Sequence, residues 1–128
     1  MSFESANPKH PVHVLIIDDE TQIRRFLDIA LRAQGYKTIL AETGQQGLEA
    51  LALQGTDLVI LDLGLPDLDG FDVLRELRSW SKAPVIVLSV RSDEGEKVKS
   101  LDAGANDYVT KPCLSCLYFM MAHSKSTL

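Results

Sequence analysis

The sequence predicts a doubly wound α/β domain built on a five-stranded parallel sheet. Short apolar runs alternate with segments of helical periodicity, the central runs are apolar at every position, and polar residues follow the ends of the runs. Strands that alternate with helices pair in parallel through right-handed crossovers. The 128 residues, of which 45% are hydrophobic, are enough for one domain with a substantial core.

Five short segments are expected to be the strands. In chain order they are residues 12–17, 37–40, 58–61, 85–88 and 108–110. The third and fourth, Leu-Val-Ile-Leu and Val-Ile-Val-Leu, are apolar throughout, which is typical of strands covered on both faces. A small doubly wound sheet usually takes the flavodoxin-like order 2-1-3-4-5, which we therefore expect here.

The segments between the strands predict helices, because their apolar residues recur at helical spacing. Three glycines, Gly35, Gly55 and Gly104, are expected to end the first, second and fourth helices. A fifth helix is expected after Pro112, but residues 113–122 are mostly apolar and show no polar face, so that helix would be atypical. The four regular helices are marked by Ile23, Phe26, Leu27, Ala30 and Leu31, then by Leu48, Leu51 and Ala52, then by Phe71, Leu74 and Leu77, and last by Val98 and Leu101.

The overall charge argues against two classes of partner. A net charge of −5 and a pI of about 5.1 provide no basic face for DNA or for an anionic membrane. No run of apolar residues is long enough to span a bilayer. Residues 1–11 lack the apolar core of a signal peptide and are expected to be a disordered extension, with residues 12–128 forming one domain in the cytoplasm.

The polar residues that follow the strands predict a phosphoryl-transfer site. Ligands of open α/β sheets bind at the carboxyl ends of the strands, and a hard cation such as Mg²⁺ would offset carboxylates gathered there. A carboxylate beside the cation can attack phosphorus to form an acyl phosphate, and a lysine can neutralise a phosphoryl oxygen. The residues delivered to this edge are Asp18, Asp19, Glu20, Asp62, Ser89 and Lys111.

Each of these residues also has a purely structural interpretation. Asp18 and Asp19 could cap the first helix, and Asp62 could be a turn residue. A lone serine is most often a helix cap or a loop hydroxyl, and a lone lysine is most often solvated. Their coincidence at one edge of the sheet is what favours the site.

Five motifs, in order and spacing, resemble the receiver domains of bacterial response regulators (CheY-like) across about residues 12–112. They are L-I-I-D-D-E at 15–20, L-V-I-L-D-L-G-L-P-D-L-D-G at 58–70, V-I-V-L-S at 85–89, D-A-G-A-N-D-Y at 102–108 and V-T-K-P at 109–112. The sequence around the second and third motifs is most similar to that of OmpR/PhoB-type regulators of potassium-transport (Kdp) operons.

The resemblance implies a role for each matching residue. Asp62 would accept a phosphoryl group from a sensor histidine kinase, and the domain would catalyse part of its own phosphorylation and dephosphorylation. Lys111 would contact the phosphoryl group and precede a cis peptide bond to Pro112. Ser89 and Tyr108 would be the switch pair that moves on phosphorylation, although Tyr108 could instead be an ordinary edge-strand aromatic. The implied ligands of Mg²⁺ or Mn²⁺ are Asp19 directly, Asp18 through water, Asp62 and the backbone carbonyl of Gly64.

The sequence departs from the family after Pro112. The last segment lacks the arginines through which the fourth helix, fifth strand and fifth helix form the usual homodimer, so that dimer is in doubt. No DNA-binding domain follows, which suggests a truncated product whose tail, residues 113–128, is not the native last helix. Cys113 and Cys116 have C-x-x-C spacing, but at this end of the fold neither thioredoxin-like chemistry nor zinc binding is expected.

Two other functions remain open from the residues. A pseudo-receiver would bind partners without being phosphorylated, and the complete acidic set argues against it. An Asp-nucleophile phosphatase of the haloacid dehalogenase type would want a D-x-D motif on the first strand, whereas here the nucleophile candidate is on the third strand with no acid two residues on.

Overall fold

The computed structural model describes residues 11–90 and 93–110, in which five strands alternate with four helices. The strands are β1 His13–Ile17, β2 Lys37–Ala41, β3 Leu58–Asp62, β4 Val85–Ser89 and β5 Asp107–Thr110. The helices are α1 Thr21–Ala33, α2 Gly44–Gln54, α3 Gly70–Arg78 and α4 Glu94–Asp102. The extension at residues 1–10 and the expected fifth helix lie outside the described residues.

The predicted sheet is confirmed in both direction and order. All four neighbouring pairs are parallel, and the order is β2-β1-β3-β4-β5. The register places Asp62 opposite Leu88 and Ser89 opposite Thr110. Asp62 and Ser89 are therefore the last residues of their strands, not the first of the loops, and both lie at the carboxyl edge of the sheet.

Two apolar cores cover the two faces of the sheet, because successive strand side chains point to opposite faces. On one face, Val14 and Ile16 pack with Leu27 of α1. On the other face, Leu15 and Ile17 pack with residues of α2 and α3. The interior strands are buried on both sides, as their continuous apolar sequence predicts.

The three glycines expected to end helices adopt the left-handed backbone conformation that favours glycine, with φ of 91° at Gly35, 68° at Gly55 and 115° at Gly104. After α1, Gly35 and Tyr36 donate their N–H groups back to the last turn. No helix in the described ranges is long and apolar enough to cross a bilayer.

The fourth helix forms where it is predicted, but the residues that mark it do not face the core. Val98 is 50% exposed and Leu101 is 39% exposed, while the residue that α4 buries is Ser100. The two aliphatic residues therefore mark the helix correctly without lying on its buried face. The Ser100 hydroxyl donates a hydrogen bond to the carbonyl of Glu96. This polar residue can therefore be buried without leaving its hydroxyl unbonded.

Candidate functional site

The acidic segment after β1 is fixed by its backbone. Asp18 is fully buried, and its N–H donates to the carbonyl of Ala41. Its Oδ1 accepts from the N–H of Glu20 at 2.8 Å, and its carbonyl accepts from Arg24 Nη1 at 2.8 Å. The Arg24 side chain is only 12% exposed, so α1 holds this turn through a largely buried cation.

The helix-capping interpretation of Asp18 and Asp19 finds no support in this geometry. The N-cap residue of α1 is Glu20, and no side chain makes a capping hydrogen bond there. The hydrogen bond that Asp18 accepts comes from the N-cap residue itself, not from the first turn of the helix. The side chain of Asp18 therefore shapes the loop above the sheet edge.

Asp62 is only 4% exposed at the end of β3. Its Oδ1 accepts from the N–H of Gly64 at 3.1 Å, which is the bond expected of a turn-forming aspartate. The structural and functional interpretations of Asp62 therefore coexist. The loop that follows folds back tightly: a Cβ at Gly70 would lie 2.4 Å from Cα of Leu63, which explains the glycine that begins α3.

Three carboxylates form a group with the size of a metal site. One oxygen each of Asp18, Glu20 and Asp62 lies within 4.8 Å of the others. Oxygen donors at this separation suit a hard divalent cation. Asp19, the ligand that the resemblance implies, is exposed and lines the same cleft, but in the described part of the chain the close group contains Glu20 in its place.

The cleft is an open volume of about 940 Å³ above the carboxyl edge of the sheet, and Asp62, Gly64 and Ser89 all line it. Three further acids on its wall accept hydrogen bonds from helix N-termini, where a carboxylate is favoured by the helix dipole. Asp67 accepts from Gly44 and Gln45 of α2, Asp69 from Phe71 of α3, and Asp93 from Gly95 of α4. These three are occupied as caps, which leaves the group around Asp62 as the candidate for metal binding.

The caps also anchor the loops. Asp67 lies in the loop after β3, yet it accepts from Gly44 N at 2.8 Å and from Gln45 N at 2.9 Å. The hydrogen bond from Gln45, followed by that from Gly44, lowers the pKa of the Asp67 carboxyl below its usual value of 3.8. The loop that carries Gly64 is therefore tied to α2 by a carboxylate that stays ionised.

Ser89 and Tyr108, which the resemblance implies are a switch pair, lie close together. Tyr108 is opposite Val87, so its side chain shares a face of the sheet with Ser89, two residues further along β4. Both hydroxyls donate to the same oxygen, Oε1 of Glu96, with the bond from Tyr108 at 2.7 Å. Burial is the main cause that raises the pKa of the Tyr108 hydroxyl. The hydrogen bond with Ser89, the next largest influence, lowers this pKa, and the hydrogen bond and charge of Glu96 raise it by smaller amounts.

Glu96 was not predicted to lie in the site, and Glu20, although predicted at this edge of the sheet, was not among the predicted metal ligands. Glu20 was noted beside the two aspartates, but only the turn closed by Asp18 shows that its carboxylate joins them. Glu96 is three residues after the N-cap Asp93. From the sequence alone, this spacing predicts a capping box and gives no sign of a contact with the strands.

Several predictions lie outside the described residues. These concern Lys111, the Lys111–Pro112 peptide bond, the C-x-x-C pair at Cys113 and Cys116, and the atypical last helix. Each of them stays a prediction.

Comparison with known proteins points to one family. The family model described as the response regulator receiver domain matches residues 14–116. The chain is 61% identical over 99 residues to the transcriptional regulatory protein KdpE of Mycobacterium tuberculosis, and 56% identical over 100 residues to the KDP operon transcriptional regulatory protein KdpE of Escherichia coli. These alignments cover 77% and 78% of this chain but 44% of each relative, so the chain spans less than half their length.

A solved structure agrees with this finding. The receiver domain of the Francisella response regulator 1452 superimposes with a TM-score of 0.80 at 29% identity, covering 92% of this chain and 98% of that one. The similarity therefore extends from the sequence motifs to the whole sheet and its helices.

Proposed function

The chain belongs to the response regulator receiver family, and from this membership we propose that Asp62 accepts a phosphoryl group from a sensor histidine kinase. One observation carries the proposal: a nearly buried aspartate ends the central strand β3 within 4.8 Å of two further carboxylates. Ser89 ends the next strand and lines the same cleft. In this proposal Asp62 would be the nucleophile, the carboxylate group would hold the cation, and Ser89 would donate a hydroxyl hydrogen bond.

The proposed transfer uses few groups of the protein. A carboxylate oxygen of Asp62 attacks phosphorus, the bond from phosphorus to the donor histidine nitrogen breaks, and that nitrogen keeps the electron pair. Attack by water on the acyl phosphate later releases inorganic phosphate and restores the carboxylate. We propose that the domain assists both steps by positioning and charge neutralisation, which are the main contributions of proteins to phosphoryl transfer.

The proposed metal is Mg²⁺ or Mn²⁺, which would neutralise charge on the phosphoryl oxygens when bound. Its proposed ligands are Asp18, Asp19, Asp62 and the carbonyl of Gly64. The position of Glu20 within the close carboxylate group supports adding it as a further candidate. Lys111 would contact a phosphoryl oxygen from the end of β5.

The proposed output is control of transcription in the cytoplasm, as the names of the KdpE relatives suggest. The Ser89 hydroxyl would move toward the acyl phosphate and the Tyr108 ring would turn inward, which would change the surface made by α4 and β5. That control would require the part of the relatives that this chain does not span. The homodimer through the face of the fourth helix, fifth strand and fifth helix, which the sequence places in doubt, stays a prediction.

Intact mass after incubation with acetyl phosphate and Mg²⁺ tests the proposal. We expect one phosphoryl adduct on the wild type, no adduct on Asp62→Ala, and little adduct when Mg²⁺ is removed. Asp57→Ala is the matched control, because Asp57 is an exposed aspartate immediately before the other end of the same strand. Asp19→Asn and Glu20→Gln test the two candidate ligands in the same assay. The variant that has lost a true ligand should need a higher Mg²⁺ concentration to form the adduct.

Other outcomes would favour the remaining interpretations. A folded wild type that takes up no phosphoryl group would contradict the proposal and support a receiver that acts without phosphorylation. Continuous hydrolysis of a generic phosphate ester would instead support a phosphatase.

A further inference from the structure

Glu96 is a carboxylate of the cleft to which the proposed function gives no role. It lies in the first turn of α4 and lines the same cleft as Asp62 and Ser89. Its Oε1 accepts hydrogen bonds from the hydroxyls of both Ser89 and Tyr108. One oxygen of one side chain therefore joins the two members of the switch pair.

The backbone of Glu96 is held by its own helix. Its N–H donates to Oδ1 of the N-cap Asp93 at 3.3 Å, and its carbonyl accepts from the buried Ser100 hydroxyl at 2.8 Å. In a capping box, the side chain at this position would reach back to the N-cap N–H. Here its Oε1 is directed at the sheet edge, so the local sequence preference gives way to a contact with β4 and β5.

The contact bears on phosphorylation because a serine hydroxyl has a single proton to donate. While Ser89 donates that proton to Glu96, it cannot donate it to a phosphoryl oxygen. Hydrogen bonds to an ionised carboxylate are about twice as strong as those between neutral groups, so the competition is substantial. A phosphoryl group on Asp62 would also add negative charge to a cleft whose walls already carry Glu96, Asp93 and Asp67.

We propose that Glu96 is a positioning residue that holds Ser89 and Tyr108 in the unphosphorylated arrangement and competes with the phosphoryl group for the Ser89 hydroxyl. The proposal rests on the proposed function of Asp62. Phosphorylation then requires Ser89 to leave Glu96, and the loss of one bond weakens the hold on Tyr108. Glu96 thus sets how strongly the domain favours its resting state.

The test compares the rate of phosphorylation by acetyl phosphate in the full chain with Mg²⁺ present. Glu96→Gln keeps the shape of the side chain but removes its charge, and we expect its rate to rise about fivefold or more. Glu94→Gln removes the same charge from an exposed residue of the same helical turn, and its rate should match that of the wild type.

A double-variant cycle shows whether Glu96 acts through the serine. In a Ser89→Ala background the hydroxyl is gone, so adding Glu96→Gln should no longer raise the rate. An equal gain with and without Ser89 would mean a general effect of charge and would overturn the inference. So would a Glu96→Gln rate equal to that of the wild type.

A second measurement needs no phosphodonor. The chain has three tyrosines, so fluorotyrosine labelling should give three ¹⁹F signals that Tyr→Phe variants assign. Glu96→Gln should shift the Tyr108 signal, whereas Glu94→Gln should leave it in place. An unmoved Tyr108 signal would overturn the inference about Glu96 and leave the proposed function intact. A folded wild type that accepts no phosphoryl group would overturn both.

Discussion

Helices α1 and α4 attach to the same sheet by different means. Helix α1 buries Ile23, Leu27 and Leu31 against one face of the sheet. Helix α4 buries only Ser100 and leaves Val98 and Leu101 exposed. Its described ties to the strands are hydrogen bonds, from the hydroxyls of β4 and β5 to Glu96.

The difference suits the two helices to different tasks. Apolar packing is dense and tolerates little displacement, so α1 can hold the acidic turn at Asp18 in one place through Arg24. Hydrogen bonds can be exchanged for others of similar strength at little net cost. A helix held by polar contacts can therefore respond when a new acceptor forms at Asp62, as the proposed switch requires.

The largest expected effect comes from truncating one leucine on each helix. Leu27 is 1% exposed, so Leu27→Ala should lower the free energy of unfolding by about 2–5 kcal/mol through lost burial and an unfilled cavity. Leu101→Ala, at a 39% exposed position, should cost less than about 1 kcal/mol. Urea unfolding followed by circular dichroism measures both. Similar losses for the two variants would remove the contrast between the helices.

The same contrast explains what sequence patterns could predict. The five apolar positions of α1 repeat at helical spacing, and this pattern gave both the helix and its buried face. Helix α4 has only two large aliphatic residues, and they mark the helix without showing its inner face. Burial there depends on the small size of Ser100 and on contacts to strands distant in the sequence, which periodicity does not contain.

A smaller effect is expected at the clamp between α3 and the end of α4. Arg78 donates from Nε and Nη2 to the carbonyl of Gly104, from Nη1 to that of Ser81, and from Nη2 to Oδ1 of Asn106. Asn106 Oδ1 in turn accepts from the N–H of Val85. Arg78→Met should therefore lower the free energy of unfolding by about 1–3 kcal/mol, since it removes charged donors from partly buried carbonyls.

Arg75→Met is the control for Arg78. It removes an exposed arginine of the same helix whose partner, Asp72, lies one turn away. Such exposed pairs contribute less than about 1 kcal/mol, and often nothing measurable. Equal losses for the two variants would mean that the polar clamp does not stabilise the α4 side beyond an ordinary surface pair.

The candidate site divides in a similar way. Asp18, Asp62 and Ser89 could be placed from the sequence alone, because parallel strands bring their carboxyl ends to one edge. That the Glu20 carboxylate joins the close group, and that Glu96 contacts the sheet edge, depends on how a loop turns and on which way a side chain leaves its helix. Those choices are decided by hydrogen bonds from Glu20 N to Asp18 and from Ser89 and Tyr108 to Glu96. No motif at a fixed spacing records them.

The smallest expected effect concerns the loop after β3, which is also held by polar contacts. The N–H groups of Gln45 and Gly44 stabilise the ionised Asp67 and lower its pKa below the usual 3.8. A carboxyl whose pKa is lowered by folding stabilises the fold above its unfolded pKa and loses this contribution as pH falls through its folded pKa. Asp67→Asn should therefore be less stable than the wild type at neutral pH, and the difference should shrink below pH 3.8.

Thermal unfolding across this pH range measures the difference, with Glu49→Gln as the control because Glu49 is an exposed acid on the same helix, α2. The control should follow the wild type at every pH. A constant difference for Asp67→Asn down to the lowest pH would show that shape, and not charge, makes the contact. In that case the loop after β3 would be held by the packing of its side chains, as α1 is. Attachment through charged hydrogen bonds would then be confined to the α4 side of the cleft.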